Sequence, residues 1–253
     1  MRKCVIVMLV CAALYGCSGS ADAPATEMYC YDDTAFLCER YPEADSIYHV
    51  TVAIDIEVPK GKQWQWLRDS IASDRQYDSE SEDNWMADTA ALGRYVHGFI
   101  DKYYSDIELF GDHNDFFGCT YEYTDTGRFM PSYGQYVCYK RNVNLYFGGA
   151  HGLESEIYYC CDLDNCRLMR RTDFISDKYD DILGIMLLGS ALRDSTIHLF
   201  AEDVPIEPSD NFYIGEEGIT FVYPEYEIAP YACGIVRITL CWDEIKALTE
   251  SDI

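Results

Sequence analysis

The feature that most constrains the fold is an alternating segment, IYHVTVAIDIEV, at residues 47–58. Large apolar side chains occupy every second position from Tyr48 to Val58, and mostly polar side chains lie between them. Such period-two alternation predicts a strand with one buried face and one solvated face. Pro59 and Gly61 predict where it ends. The chain is therefore expected to build a sheet that covers a core on one side.

Helical and strand patterns follow this segment in a mixed order. Apolar residues at three- and four-residue spacing predict a long helix over 85–107, and shorter helices are predicted over 62–73 and 178–194. Further strands are predicted in three tyrosine-rich segments and three short segments after residue 210; the tyrosine-rich ones are 117–125, 133–147 and 154–164. Because these elements do not alternate as βαβ units, we predict an α+β fold. It consists mainly of antiparallel sheet packed with helices, in two related or interlocked subdomains.

The N-terminus predicts export. Arg2 and Lys3 precede a short apolar run, which is the layout of a signal peptide over residues 1–16. The letters LYGC at its end resemble a bacterial lipobox, and the resemblance implies cleavage before Cys17 and a diacylglycerol on its sulfur. An ordinary signal peptide cleaved a few residues later is the alternative. We therefore expect a lipoprotein of the cell envelope, anchored in the outer membrane, with a linker over residues 17–44.

Charge excludes some classes of partner. The formal net charge is −25, and loss of Arg2 and Lys3 with the signal peptide takes it to −27 (−25 − 2). Because phosphate binding needs clusters of Lys and Arg, nucleic acid is not expected as a partner. Contact with an anionic membrane is expected only through the N-terminal lipid. Such acidity suits a cationic protein partner, or is simply a solvated surface.

Nine of the twelve cysteines follow Cys17. An exported compartment permits disulfides, so up to four pairs are expected, with their connectivity left open. Two sets are near enough in sequence to close small loops: Cys30 with Cys38, and Cys160 or Cys161 with Cys166. Zinc is a competing interpretation of CCDLDNC, but the segment lacks a second matching knuckle. No metal and no other cofactor is predicted.

A glycine-rich turn separates two of the predicted strands, in the segment LYFGGAHGLE. Three glycines surround one histidine: Gly148, Gly149, His151 and Gly152. Glycine permits positive φ and close backbone approach, so a tight turn is predicted. The imidazole of His151 is expected to bond neighbouring backbone and tie the turn. The alternatives are ligand contact, and acid–base catalysis with a carboxylate such as Asp112 or Glu227.

Three segments together resemble one family of exported bacterial proteins of unknown function: FGGAHG, RLMRRTDFIS and GITFVYPEYEIAPYACGIVRITLCWDEI. This GGAH-motif family includes the C-terminal region of the anti-sigma factor RsiV, and proteins with the accessory domain of the peptidoglycan deacetylase PdaC. Asn165 and Cys166 stand where the family usually has Thr-Gly. The resemblance implies an N-terminal PdaC-accessory-like α+β domain over 45–130 and an RsiV-like domain with the GGAH motif over 131–253.

The resemblance also implies a function. The RsiV region binds lysozyme, and the catalytic zinc domain of PdaC is a separate domain that no segment here resembles. We therefore expect a non-catalytic binding module for a protein or a cell-wall glycan such as peptidoglycan. Candidate ligand contacts are His151, Tyr226, Trp64 and Trp66, while Pro224 and Pro230 are expected to shape the backbone. The alternatives are a peptidoglycan-directed hydrolase or deacetylase accessory that uses His151, and a purely structural envelope lipoprotein.

Overall fold

The computed structural model describes residues 24–74, 84–110 and 120–249. Within these ranges the chain forms nine strands and four α-helices, joined by loops and short 3-10 turns. Most strand pairs are antiparallel, and the α+β class predicted from sequence is confirmed. In the part of the chain described, no helix combines the length and hydropathy that a membrane span requires.

The elements have the following bounds. The strands are β1 (Thr26–Phe36), β2 (His49–Pro59), β3 (Tyr121–Phe129), β4 (Tyr136–Phe147), β5 (Leu153–Asp162), β6 (Arg167–Leu168), β7 (Phe212–Ile214), β8 (Gly218–Tyr223) and β9 (Val236–Cys241). The helices are α1 (Gln65–Ser73), α2 (Thr89–Phe110), α3 (Asp180–Ala191) and α4 (Trp242–Ile245).

The strands form two sheets. Strands β1 to β6 make a six-stranded sheet in sequence order, and β7, β8 and β9 make a three-stranded sheet. β1 and β2 pair antiparallel over their full length, whereas β2 and β3 pair in parallel. A parallel pair needs a long crossover connection, and the segment with α1 and α2 supplies it here. The sequence patterns do not predict this parallel pair.

Strand β1 lies inside the range 17–44 that was predicted to be a linker. Its residues pair one by one with β2, from Thr26 opposite Pro59 to Phe36 opposite His49. Tyr29 and Tyr31 on β1 are each only 8% exposed. Residues 26–36 are therefore part of the folded sheet, and the remainder of the predicted tether up to residue 23, with Cys17 and the signal peptide, lies outside the described residues.

The predicted alternation of β2 is confirmed. Its inward positions are almost fully buried: Val50, Val52, Ile54, Ile56 and Val58. The predicted stripe of α2 is buried too, at Leu92, Tyr95, Val96, Phe99, Ile100, Tyr103 and Ile107. Helix α2 packs against β1 and β2, so the buried face of the strands contacts the apolar stripe of the helix. Burying each large apolar side chain contributes about 1.5–3 kcal/mol, so this contact stabilises the region.

The chain divides into two compact units, each built from two stretches of sequence. Unit 1 comprises Pro24–Arg128 and Asn142–Leu153, and unit 2 comprises Phe129–Arg141 and Glu154–Ile253. In unit 2, helix α3 packs on β9 and buries Leu183 and Leu187 in a large apolar cluster. The domain ranges 45–130 and 131–253 stay predictions.

Candidate functional site

The glycine-rich turn joins β4 to β5 in unit 1. Gly148 has φ of 78° and Gly149 has φ of 101°, both in the region that favours glycine. At Gly152, a Cβ atom would lie 2.9 Å from the carbonyl oxygen of Leu145. The glycines are therefore needed for positive φ at two positions and for a close backbone approach at a third.

Two side chains bond to the backbone of this turn. The Nδ1 atom of His151 lies 3.0 Å from the carbonyl oxygen of Gly152, and the Tyr146 hydroxyl donates to the carbonyl oxygen of Gly149 at 2.9 Å. His151 is exposed. Tyr146 is a fastening residue that the GGAH motif does not reveal, because it lies on the strand before the turn. Contact of His151 with a ligand stays a prediction.

Neither carboxylate suggested as a catalytic partner of His151 is in the same described unit as His151. Asp112 lies outside the described residues, and Glu227 belongs to unit 2 whereas His151 belongs to unit 1. Within residues 24–74, 84–110 and 120–249, no group of three or more His, Cys, Asp or Glu side chains is arranged to hold a metal ion.

Trp64 and Trp66 lie at the start of α1, with ring centroids 6.0 Å apart and planes tilted by 40°. Trp64 is only 8% exposed, which leaves little of its ring for a ligand. Trp66 is half-buried, and its Nε1 atom is buried without a hydrogen-bond partner among the described residues. The two rings are thus in contact with each other, and Trp66 offers more surface than Trp64.

A second turn, in unit 2, follows β8 at residues 224–227. The backbone N–H of Glu227 bonds to the carbonyl oxygen of Pro224 at 3.3 Å, and Tyr226 has φ of 68°. Tyr226 thus occupies the third position of a type II-like turn, where glycine or asparagine is usual. It is nevertheless 51% exposed. We call residues 224–227, together with Tyr231, the tyrosine turn.

Aromatic side chains meet at the tyrosine turn. The rings of Tyr226 and Tyr231 stack with centroids 5.6 Å apart and planes 27° from parallel. Pro230 precedes a single 3-10 turn that positions Tyr231, and the N–H of Cys233 bonds back to the carbonyl oxygen of Pro230 at 2.8 Å. Pro224, Tyr226 and Pro230, all named from sequence, are therefore brought together in one surface segment.

A separate segment of the same chain lies beside this surface. The N–H of Phe200 bonds to the carbonyl oxygen of Ile228 at 3.0 Å. Because Ile228 directly follows residues 224–227, Phe200 lies next to the tyrosine turn. Phe200 is itself 60% exposed. Sequence patterns do not single out Phe200 or Tyr231. The sequence signal for Tyr231 is its place in the segment YEIAPYA, which belongs to the third family-like segment.

Three carboxylates lie at or beside the tyrosine turn. Burial, followed by the nearby charge of Glu207, raises the pKa of Glu227. The hydroxyl of Tyr223 donates to the carbonyl oxygen of Glu207 at 3.0 Å, which holds Glu207 at the base of the turn. The Oε2 atom of Glu225 is buried and has no hydrogen-bond partner among the described residues. Three carboxyl groups are therefore at or beside this turn.

Comparisons with known proteins identify a family of unknown function. Residues 173–243 match the sequence profile of DUF3298, which is described as a protein of unknown function. This span contains the tyrosine turn, whereas the glycine-rich turn precedes it. No curated protein matches the chain. The predicted relation to a domain family of unknown function is confirmed.

Two solved structures share the fold. A crystal structure of a DUF3298 family member from Bacteroides fragilis is 22% identical, with a TM-score of 0.74, and the alignment covers 92% of this chain and 96% of that one. A DUF3298 family protein from Pseudomonas aeruginosa is 14% identical, with a TM-score of 0.61, and the coverage is 90% and 95%. Residues 173–243 therefore carry the sequence signature of DUF3298, within a chain whose fold resembles that of two solved DUF3298 proteins.

Proposed function

We propose that this protein is a non-catalytic binding module, tethered to the cell envelope, and that its ligand is a cationic protein of the lysozyme-like muramidase class. The tyrosine turn is the proposed contact surface. The observation that carries the proposal is Tyr226, an aromatic residue that is 51% exposed and has φ of 68°.

The backbone conformation of Tyr226 is informative because it is energetically unfavourable. A bulky residue at positive φ destabilises the fold by about 1–3 kcal/mol, and glycine would avoid that penalty. The ring recovers part of this through its stack on Tyr231. A strained, exposed aromatic residue is typical of a residue presented to a partner, and tyrosine is enriched at binding hot spots.

Charge favours a cationic protein over a neutral glycan. The chain has a formal net charge of −25, and Glu207, Glu225 and Glu227 lie at or beside the tyrosine turn. Complementary charge speeds association and makes it sensitive to salt. Carboxylates next to stacked rings suit the Lys and Arg side chains of a basic protein.

The binding experiment uses lysozyme, with affinity measured at about 50 mM and about 300 mM salt. Surface charges are weakly screened at the lower concentration and strongly screened at the higher one. Tyr226→Gly removes the ring but accepts positive φ, so we expect at least a tenfold loss of affinity with an unchanged or higher Tm. Tyr226→Phe keeps the stack and should retain binding. Ile185→Ala, a change at a 59% exposed residue of α3, serves as the control.

The outcomes separate the candidate functions. Absence of lysozyme binding at both salt concentrations would remove that partner, and saturable binding of soluble peptidoglycan fragments would transfer the proposal to a glycan. Release of muropeptides or acetate from purified peptidoglycan would instead favour the hydrolase or deacetylase alternative. If neither ligand binds and nothing is released, a structural envelope role is left.

The tether is tested separately. We propose that Cys17 carries the lipid and that the protein resides in the outer membrane, on its periplasmic or its external face. Metabolic labelling with an alkynyl fatty acid should mark the wild-type chain and not Cys17→Ala. Equal labelling of both chains would contradict the anchor without affecting the binding proposal.

A further inference from the structure

Two buried cysteines face each other across strands β4 and β5. These strands are neighbours in the sheet and are joined by only a few residues, which requires an antiparallel pair. The N–H of Leu163 bonds to the carbonyl oxygen of Gln135 at 2.9 Å, so these two residues lie opposite each other. Three residues after Gln135 on one strand is Cys138, and three residues before Leu163 on the other is Cys160. In an antiparallel pair these two residues also lie opposite each other.

Two further backbone bonds fix the type of this pair. The carbonyl oxygen of Cys138 accepts the N–H of Met130 at 2.8 Å, and that of Cys160 accepts the N–H of Met169 at 2.7 Å. Each cysteine therefore directs its backbone groups away from the other. Cys138 and Cys160 form a non-hydrogen-bonded antiparallel pair, in which the Cα atoms are about 4.5 Å apart and side chains come closest. That separation lies within the range that a disulfide spans.

The side chains of both residues enter the same core. Cys138 and Cys160 are each 2% exposed and belong to the apolar cluster of unit 2 that also contains Phe174 and Phe212. The interaction between the two thiols lowers the pKa of Cys138 and raises that of Cys160. Both side chains thus lie in one buried cluster of unit 2, on strand positions that oppose each other.

Cys161 cannot take the place of Cys160. Successive residues of a strand point to opposite faces of the sheet. The Sγ atom of Cys161 lies 3.5 Å from the carbonyl oxygen of Tyr159, and the residue is fully buried. The register therefore selects one of two adjacent cysteines, which sequence spacing alone does not.

We propose that Cys138 and Cys160 form a cross-strand disulfide when the chain folds in an oxidising compartment. The oxidant is a small-molecule or protein disulfide. The thiolate of one cysteine attacks it, which releases one thiolate and leaves a mixed disulfide. The thiolate of the other cysteine then displaces the second thiolate, so two electrons and two protons leave the pair and two thiols are produced. Because both residues are buried, the bond forms before the core closes.

The experiment refolds the reduced full-length chain in a glutathione redox buffer. Remaining thiols are blocked with N-ethylmaleimide in denaturant, and peptides are analysed by mass spectrometry without reduction. We expect a linked pair of peptides containing Cys138 and Cys160, with a mass 2 Da below the sum of the two thiol peptides. Cys161→Ser is the matched control and should give the same link, which distinguishes the adjacent cysteines.

A stability measurement supports the assignment independently. Oxidised protein should melt roughly 5–15 °C above reduced protein in the wild type and in Cys161→Ser. The double variant Cys138→Ala/Cys160→Ala should lose the part of that difference that the bond supplies. Recovery of Cys138 and Cys160 as N-ethylmaleimide adducts, or linked to other cysteines, would overturn the proposal even if the double variant fails to fold. The test does not depend on the ligand proposed above.

Discussion

Arg237 on β9 and Glu156 on β5 form an ion pair in which the Nη2 and Oε2 atoms lie 2.6 Å apart. The Glu156 side chain is only 5% exposed. Lys140 on β4 forms a second ion pair with the same carboxylate, and the Tyr158 hydroxyl donates to it at 3.0 Å. Strands β4, β5 and β9 of unit 2 are thus joined by one buried carboxylate.

Removing this carboxylate should destabilise the protein strongly. In Glu156→Ala, Lys140 and Arg237 lose their shared partner but stay partly solvated, and we expect a loss of about 1.5–3 kcal/mol in the free energy of unfolding. Urea denaturation measures it. Glu154→Ala, at an exposed position of the same strand, is the control and should change stability by less than about 0.5 kcal/mol. Similar losses in both variants would contradict this account.

The same carboxylate should control acid stability. Burial alone would raise the pKa of Glu156, but hydrogen bonds from Lys140 and Arg237 outweigh burial and lower it. A lowered pKa stabilises the fold above the unfolded-state value of about 4.3, and that stability is lost as pH falls through the folded-state pKa. Glu156→Gln should therefore be most destabilised near neutral pH and approach the wild type at lower pH. A constant difference from pH 7 to pH 2.5 in unfolding titrations would disagree with this.

Glu227 should behave in the opposite sense. Burial, and then the charge of Glu207, raise its pKa, so its ionisation opposes folding as pH rises through the folded-state pKa. Glu227→Gln should raise stability at pH 7 by no more than about 0.5 kcal/mol, because solvent screens an exposed pair. At pH 3 Glu227 is largely protonated and the difference should vanish. Thermal melts at the two pH values test this, and a lower Tm at pH 7 would count against it.

The glycine-rich turn should depend more on its glycines than on its histidine. Gly149→Ala places a side chain at φ of 101° and should cost about 1–3 kcal/mol. His151→Ala removes an exposed hydrogen bond and should cost about 1 kcal/mol or less, and should lower Tm more than it alters any ligand affinity. His97→Ala, an exposed helical control, should leave Tm within a degree or two. Lost binding with an unchanged Tm in His151→Ala would make the imidazole a ligand contact.

Local periodicity predicts the elements with strong patterns. β2 and α2 are recognised because their own residues alternate or recur at helical spacing, and the structure buries the predicted faces. β1 is not recognised, since Asp32 and Asp33 interrupt its apolar positions and its order depends on pairing with β2. The parallel pairing of β2 with β3 is likewise absent from any local pattern, because strand partners are chosen over long sequence separations.

The candidate sites also include some features that local sequence predicts and others that depend on folding. Glycines around His151 predict a turn, since backbone conformation is a property of the residues themselves. The stack of Tyr226 on Tyr231 depends on the backbone conformation of the residues between them, and the approach of Glu207 requires folding to bring a separate segment to the turn. Trp64, a candidate contact by its side chain, proves to be largely buried.

By itself, the sequence determined the α+β class, the faces of its main strand and helix, and the turn at residues 148–152, because these follow from side-chain spacing and backbone freedom within short segments. Only the tertiary structure decided which strands pair, that Cys138 opposes Cys160, and that Lys140 and Arg237 share the Glu156 carboxylate. Those relationships depend on register, and register is set by the burial of whole faces rather than by any one segment.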